Sequence, residues 1–124
     1  MPANDLEVGH KQGLALRHHD PVEIGIIPTI YLSVVVAAEL AIKAGKGRII
    51  LPKPVEKWIE EAARRHHLTL LHLELGPAAT AGGLPWIHSD PFDRILIATA
   101  QRLLLTMITA DETIARYPGI KSLW

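Results

Sequence analysis

His88-Ser89-Asp90-Pro91-Phe92-Asp93-Arg94-Ile95-Leu96-Ile97-Ala98 is the stretch on which the reading of this chain turns. Asp90 is a side chain suited to N-cap a helix, Pro91 fits the first helical position with its φ already set, and Asp93 places a carboxylate in the first turn, near the positive end of the helix dipole. The pattern predicts a helix through Arg94 to Leu103. Downstream, Leu105 to Thr109 is β-prone, Asp111 to Arg116 a short helix or turn, and Ile120 to Trp124 a final strand. Upstream, Ile30-Tyr31-Leu32 is β-prone and Ser33 can cap an apolar helix over Val34 to Ala44, with Gly45 placed to stop it.

Between these segments, Pro54 opens a helix running to about His66, whose Val55, Trp58, Ile59 and Ala62 form an apolar stripe. Leu68 to Leu75 is expected as a strand, Gly76-Pro77 as the start of a short helical turn ending by Gly82-Gly83, and residues 84–89 as a loop. Strands alternating with helices imply an α/β fold with a central, mostly parallel sheet flanked by helices. Residues 1–29 show no sustained period of either kind and form an atypical N-terminal segment ahead of the body, residues 30–124.

A chain of 124 residues suits one domain, and 48% apolar with 21% charged residues is globular composition. The 13 basic and 13 acidic side chains cancel, so any contact with a polyanion must come from local patches. Without cysteine there are no disulfides, thiolate sites or nucleophilic thiols, which suits a cytoplasmic location. Neither a membrane span nor a signal peptide is expected. Of the seven histidines, His18-His19 and His66-His67 are adjacent pairs without HExxH spacing, so no zinc site is assigned.

Three acids stand where solvation alone is an incomplete account: Glu39 inside an apolar helix, Asp93 at a helix start and Asp111 directly after a β-prone run. Carboxylates gathered at a sheet edge are hard oxygen ligands for Mg²⁺ or Mn²⁺, and a metal so held can activate water against a phosphodiester. Each acid also has a plainer reading. Glu39 can pair with Lys43 at i,i+4, Asp93 can complement the helix dipole, and Asp90 and Asp111 can act as N-caps.

Taken together, Ser33 to Lys43, His88 to Ala98 and Thr109-Ala110-Asp111 resemble, in order and at about the family's spacing, the three later motifs of PIN-domain ribonucleases of the VapC toxin type. The Asp90-Pro91-Phe92-Asp93-Arg94 word is the most specific of them. The closing Arg116-Tyr117-Pro118-Gly119 and Leu123-Trp124 are similar too, so the resemblance covers about three quarters of the chain. It implies a three-layer α/β sandwich and a Mg²⁺- or Mn²⁺-dependent endoribonuclease acting on RNA, such as tRNA or another structured RNA. It further implies the toxin component of a type II toxin–antitoxin system, a homodimer held by a VapB-like antitoxin.

On that resemblance Glu39, Asp93 and Asp111 are the candidate catalytic and metal-binding acids, Thr109 a hydroxyl supporting them, and Arg94 a candidate RNA contact. The family's opening word, a hydrophobic strand ending in a metal-binding aspartate, is absent. Asp5 falls near its position, but Met1-Pro2-Ala3-Asn4 is no buried strand. Without that strand the sheet lacks a central member unless other residues substitute. The competing expectation is therefore a catalytically inactive PIN-fold protein that binds a partner or dimerises.

Overall fold

The computed structural model describes residues 28–124 and the backbone of a strand at Ala15–His18; Asp5 and the rest of the N-terminal segment lie outside the described residues. The elements run β1 (Ala15–His18), β2 (Tyr31–Ser33), α1 (Val34–Gly45), α2 (Val55–Arg65), β3 (Thr69–Leu71), α3 (Leu75–Thr80), α4 (Pro91–Leu103), β4 (Leu105–Ile108) and β5 (Ser122–Leu123). Short 3₁₀ turns follow α3 at Ala81–Gly83 and precede the last strand at Ile114–Arg116.

The sheet order is β3-β2-β1-β4-β5. β2 pairs parallel with β3, and β4 with β5, whereas β1 runs antiparallel to both β2 and β4. Four strands therefore share one direction, as the alternating pattern predicts, and the central one opposes them. The missing central member is supplied by Ala15–His18, which places Ala15 opposite both Leu32 and Ile108. Without it, the facing edges of β2 and β4 would present unpaired backbone groups in the middle of the sheet.

Local capping explains where the helices begin. Ser33 Oγ accepts the Val35 N–H at 3.1 Å, and Asp90 Oδ1 accepts the N–H groups of Phe92 at 2.8 Å and Asp93 at 3.3 Å. α1 includes Gly45 and ends at Lys46, with the left-handed residue at Gly47 (φ +73°) instead. The expected strand at 68–75 shrinks to three residues. Its partner among the described residues, β2, is that short, and the chain after Leu71 turns to enter α3 through Glu74.

The core gathers Leu32, Val35, Val36, Leu40, Ile59, Leu96, Ile97, Leu105, Met107 and Ile114, drawn from sheet and helices alike. Burial on this scale, at about 25 cal/mol per Å² of apolar area, is what fixes the helices against the sheet. α4 is central: Leu96, Ile97 and Ala100 have no measurable exposure. It packs against both α1 and β4. Among the described residues no helix is long and apolar enough to cross a membrane.

Candidate metal centre

Asp93 projects from the first turn of α4 and is 2% exposed. Asp111 follows β4 by three residues, and the loop before α4 brings His88 between the two. His88 Nε2 stands 3.0 Å from Asp93 Oδ2 and 3.0 Å from Asp111 Oδ2. One donor atom from each of the three residues lies within 4.8 Å of the others. The structure thus brings together two of the three acids expected from sequence and adds a histidine.

Glu39 lies outside that trio but within its electrostatic reach. It is 4% exposed on α1. Lys43 Nζ stands 3.1 Å from its Oε2, yet outside hydrogen-bond geometry, leaving that oxygen without a hydrogen bond. Burial pushes the Glu39 carboxyl above its ordinary range, Lys43 pulls it back, and Asp90 adds to the rise. The i,i+4 pair with Lys43 and a place beside the acid cluster are both realised.

Asp93 is more strongly perturbed. Burial, then the charges of Asp90, Glu39 and Asp111, raise its pKa from 3.8 to about 8, against a small opposing pull from Lys43. Its Oδ1 is buried without a hydrogen-bond partner. A buried, unpaired carboxylate oxygen among like charges is costly for a chain left to itself, and a divalent cation is the group that removes the cost. The orphaned Asp93 Oδ1 fits a metal in that sense, as does the all-oxygen character of the acids.

Asp111 has the opposite electrostatics. Burial alone raises its carboxyl, but hydrogen bonds from the Thr113 side chain and backbone, with His88 beside it, hold the pKa below the ordinary value. Thr113 N and Oγ1 both donate to Asp111 Oδ1, at 2.9 and 2.7 Å. That pins one oxygen and leaves Oδ2 turned to His88. Thr109, 4% exposed, accepts the Asp111 N–H at 3.0 Å, so its hydroxyl orients the acid through the backbone.

Arg94 takes a place different from the expected RNA contact. It is 3% exposed, and its guanidinium donates to the carbonyls of Ala81, Gly82, Leu84, Pro85 and His88 while lying 3.5 Å over the Trp86 ring. Facing inward with its donors engaged, it clasps the 81–88 loop and does not present charge to solvent.

His88 is the residue that sequence reasoning passed over, although it stands inside the quoted motif. The signal available was a histidine two positions before a strongly capped helix. Its ring is fixed by the Asp90 N–H, which donates to Nδ1 at 3.1 Å. Since a backbone N–H can only donate, Nδ1 carries the lone pair and the ring proton sits on Nε2, donated to Asp111 Oδ2.

A family model described as PIN domain matches residues 14–120. The match begins one residue before β1 and ends just short of β5, so it takes in the substituted central strand. No curated protein matches the chain.

Proposed function

The chain belongs to the PIN-domain family, whose members are in general metal-dependent nucleases, and on that premise we propose that it is a Mg²⁺- or Mn²⁺-dependent endoribonuclease. The observation that carries the reading is the convergence of Asp93 and Asp111 on one point with Asp93 Oδ1 left unpartnered in the interior. Asp93 and Asp111 would hold the metal and Glu39 would lend its charge. A metal in such a site supplies a water of lowered pKa and neutralises charge on the phosphate. Thr109 and Thr113 keep the Asp111 carboxylate aimed, and Asp90 fixes the turn that carries Asp93.

The test is cleavage of a structured RNA such as tRNA, with Mg²⁺ or Mn²⁺, by the wild type and by Asp93→Asn and Asp111→Asn. Loss of at least about a hundredfold in each variant, and complete loss in chelator, is expected. Cleavage that survives either treatment overturns the reading.

The VapC-like motif words further support a toxin of a type II toxin–antitoxin system, acting in the cytoplasm as a homodimer restrained by a VapB-like antitoxin. Exposed apolar side chains, among them Ile42, Leu75, Leu104 and Trp124, are in keeping with such partners. A second reading, a PIN-fold protein that only binds, is favoured by one feature. The central strand, Ala-Leu-Arg-His at 15–18, carries no carboxylate where the family's first strand brings a metal-binding aspartate. Absence of both cleavage and carboxylate-dependent Mg²⁺ binding would decide for it.

A further inference from the structure

His88 lies against both acids that would hold a cation, and with the wrong polarity to be a ligand. A histidine that coordinates a metal through Nε2 needs a lone pair there and normally gives its Nδ1–H to an acceptor. Here Nδ1 faces the Asp90 N–H at 3.1 Å, a donor that cannot reverse, so the proton lies on Nε2. That proton is donated to Asp111 Oδ2 at 3.0 Å, and Asp93 Oδ2 lies 3.0 Å from the same nitrogen.

The backbone around the ring is anchored. The His88 N–H donates to Tyr117 Oη at 2.9 Å, and its carbonyl accepts from Arg94 Nη1 at 2.9 Å. The side chain is 16% exposed and held through both ring nitrogens.

We propose that His88 is a built-in competitor of the cation: its Nε2–H, bound to Asp111 and beside Asp93, must leave before a divalent ion can be held between the two acids. The inference rests on the metal-dependent reading of the site and adds to it a residue that sets affinity. The bond to Asp111 Oδ2 holds the ring beside Asp93, so an ion bound by both acids has to displace it. Metal affinity is lowered by whatever that donation contributes.

The test is Mn²⁺ binding by isothermal titration calorimetry at one pH, on the wild type, His88→Asn and Asp93→Asn, with thermal melts of each. Asparagine keeps an oxygen able to accept the Asp90 N–H but is too short to reach the carboxylates. His88→Asn is expected to remain folded and to bind Mn²⁺ about tenfold more tightly than the wild type, the worth of one charge-assisted hydrogen bond. If His88→Asn does not fold, His88→Ala carries the same expectation.

Equal or weaker binding in the His88 variant, with wild-type binding that Asp93→Asn abolishes, overturns this inference and leaves the metal centre standing; weaker binding would make His88 a ligand. If neither wild type nor variant binds Mn²⁺, the metal reading fails and this inference with it.

Discussion

The phenol oxygen of Tyr117 accepts the backbone N–H of His88 at 2.9 Å and donates to the Pro85 carbonyl at 2.7 Å. Tyr117 is 2% exposed, so its hydroxyl relies on these two loop groups. Tyr117→Phe keeps the ring and removes the oxygen, so the partly buried His88 N–H loses its acceptor while the Pro85 carbonyl keeps Arg94 Nη1 as a donor. A loss of about 1–3 kcal/mol in unfolding free energy is expected from urea titration. An unchanged midpoint would mean that the loop before α4 is held without this hydroxyl.

Arg94 predicts a larger effect by a different route. Lysine keeps the charge but loses the planar fork that reaches five carbonyls and stacks on Trp86. Arg94→Lys should therefore lower stability by roughly 2–4 kcal/mol. At a temperature where the variant stays folded, its affinity for RNA should match the wild type. Reduced affinity in a variant of unchanged melting temperature would return Arg94 to the nucleic-acid surface.

What was legible in the sequence follows from how local each cause is. Asp90 bonds groups two and three residues ahead, so the start of α4 could be read from five letters. The placement of Asp93 and Asp111 near one sheet edge follows from helix-start and strand-end positions. β1 was not legible, because Ala15–His18 is a strand only by virtue of β2 and β4, the latter some 90 residues away. The position of His88 depends on Tyr117, 29 residues downstream, and the burial of Arg94 depends on a loop folding back over it. No short window contains those partners.

Stability should depend on pH through Asp93. Its folded pKa of about 8 lies above the ordinary 3.8, so between these values the folded chain holds a proton that the unfolded chain has released. Stability from this group is fully present below the ordinary value and is lost as pH rises toward about 8, by up to about 1.4 kcal/mol per pH unit. Glu39, also raised, acts in the same sense above its ordinary pKa. Asp111, lowered, contributes stability above its ordinary value that disappears as pH falls through its folded one. Urea titrations in chelator from about pH 5 to 8 should show a falling midpoint in the wild type and a flatter profile in Asp93→Asn. A wild-type midpoint that rises over this window contradicts the assignment.

Leu104 offers a test far from the acids. It ends α4 in the left-handed region, at φ +55°, with its N–H donating to the Ala100 carbonyl and its side chain 63% exposed. A Cβ in that region costs about 1–2 kcal/mol, whereas glycine avoids the clash at an entropic cost of about 0.5–1 kcal/mol. Leu104→Gly should thus gain a few tenths to about 1 kcal/mol, raising the melting temperature by roughly 3 °C. Leu104→Ala keeps the Cβ and sheds the same exposed side chain, so it should gain nothing. An equal gain in both variants would trace the effect to removal of exposed apolar surface, and a loss in Leu104→Gly would show that the leucine side chain contributes packing greater than the strain of its backbone.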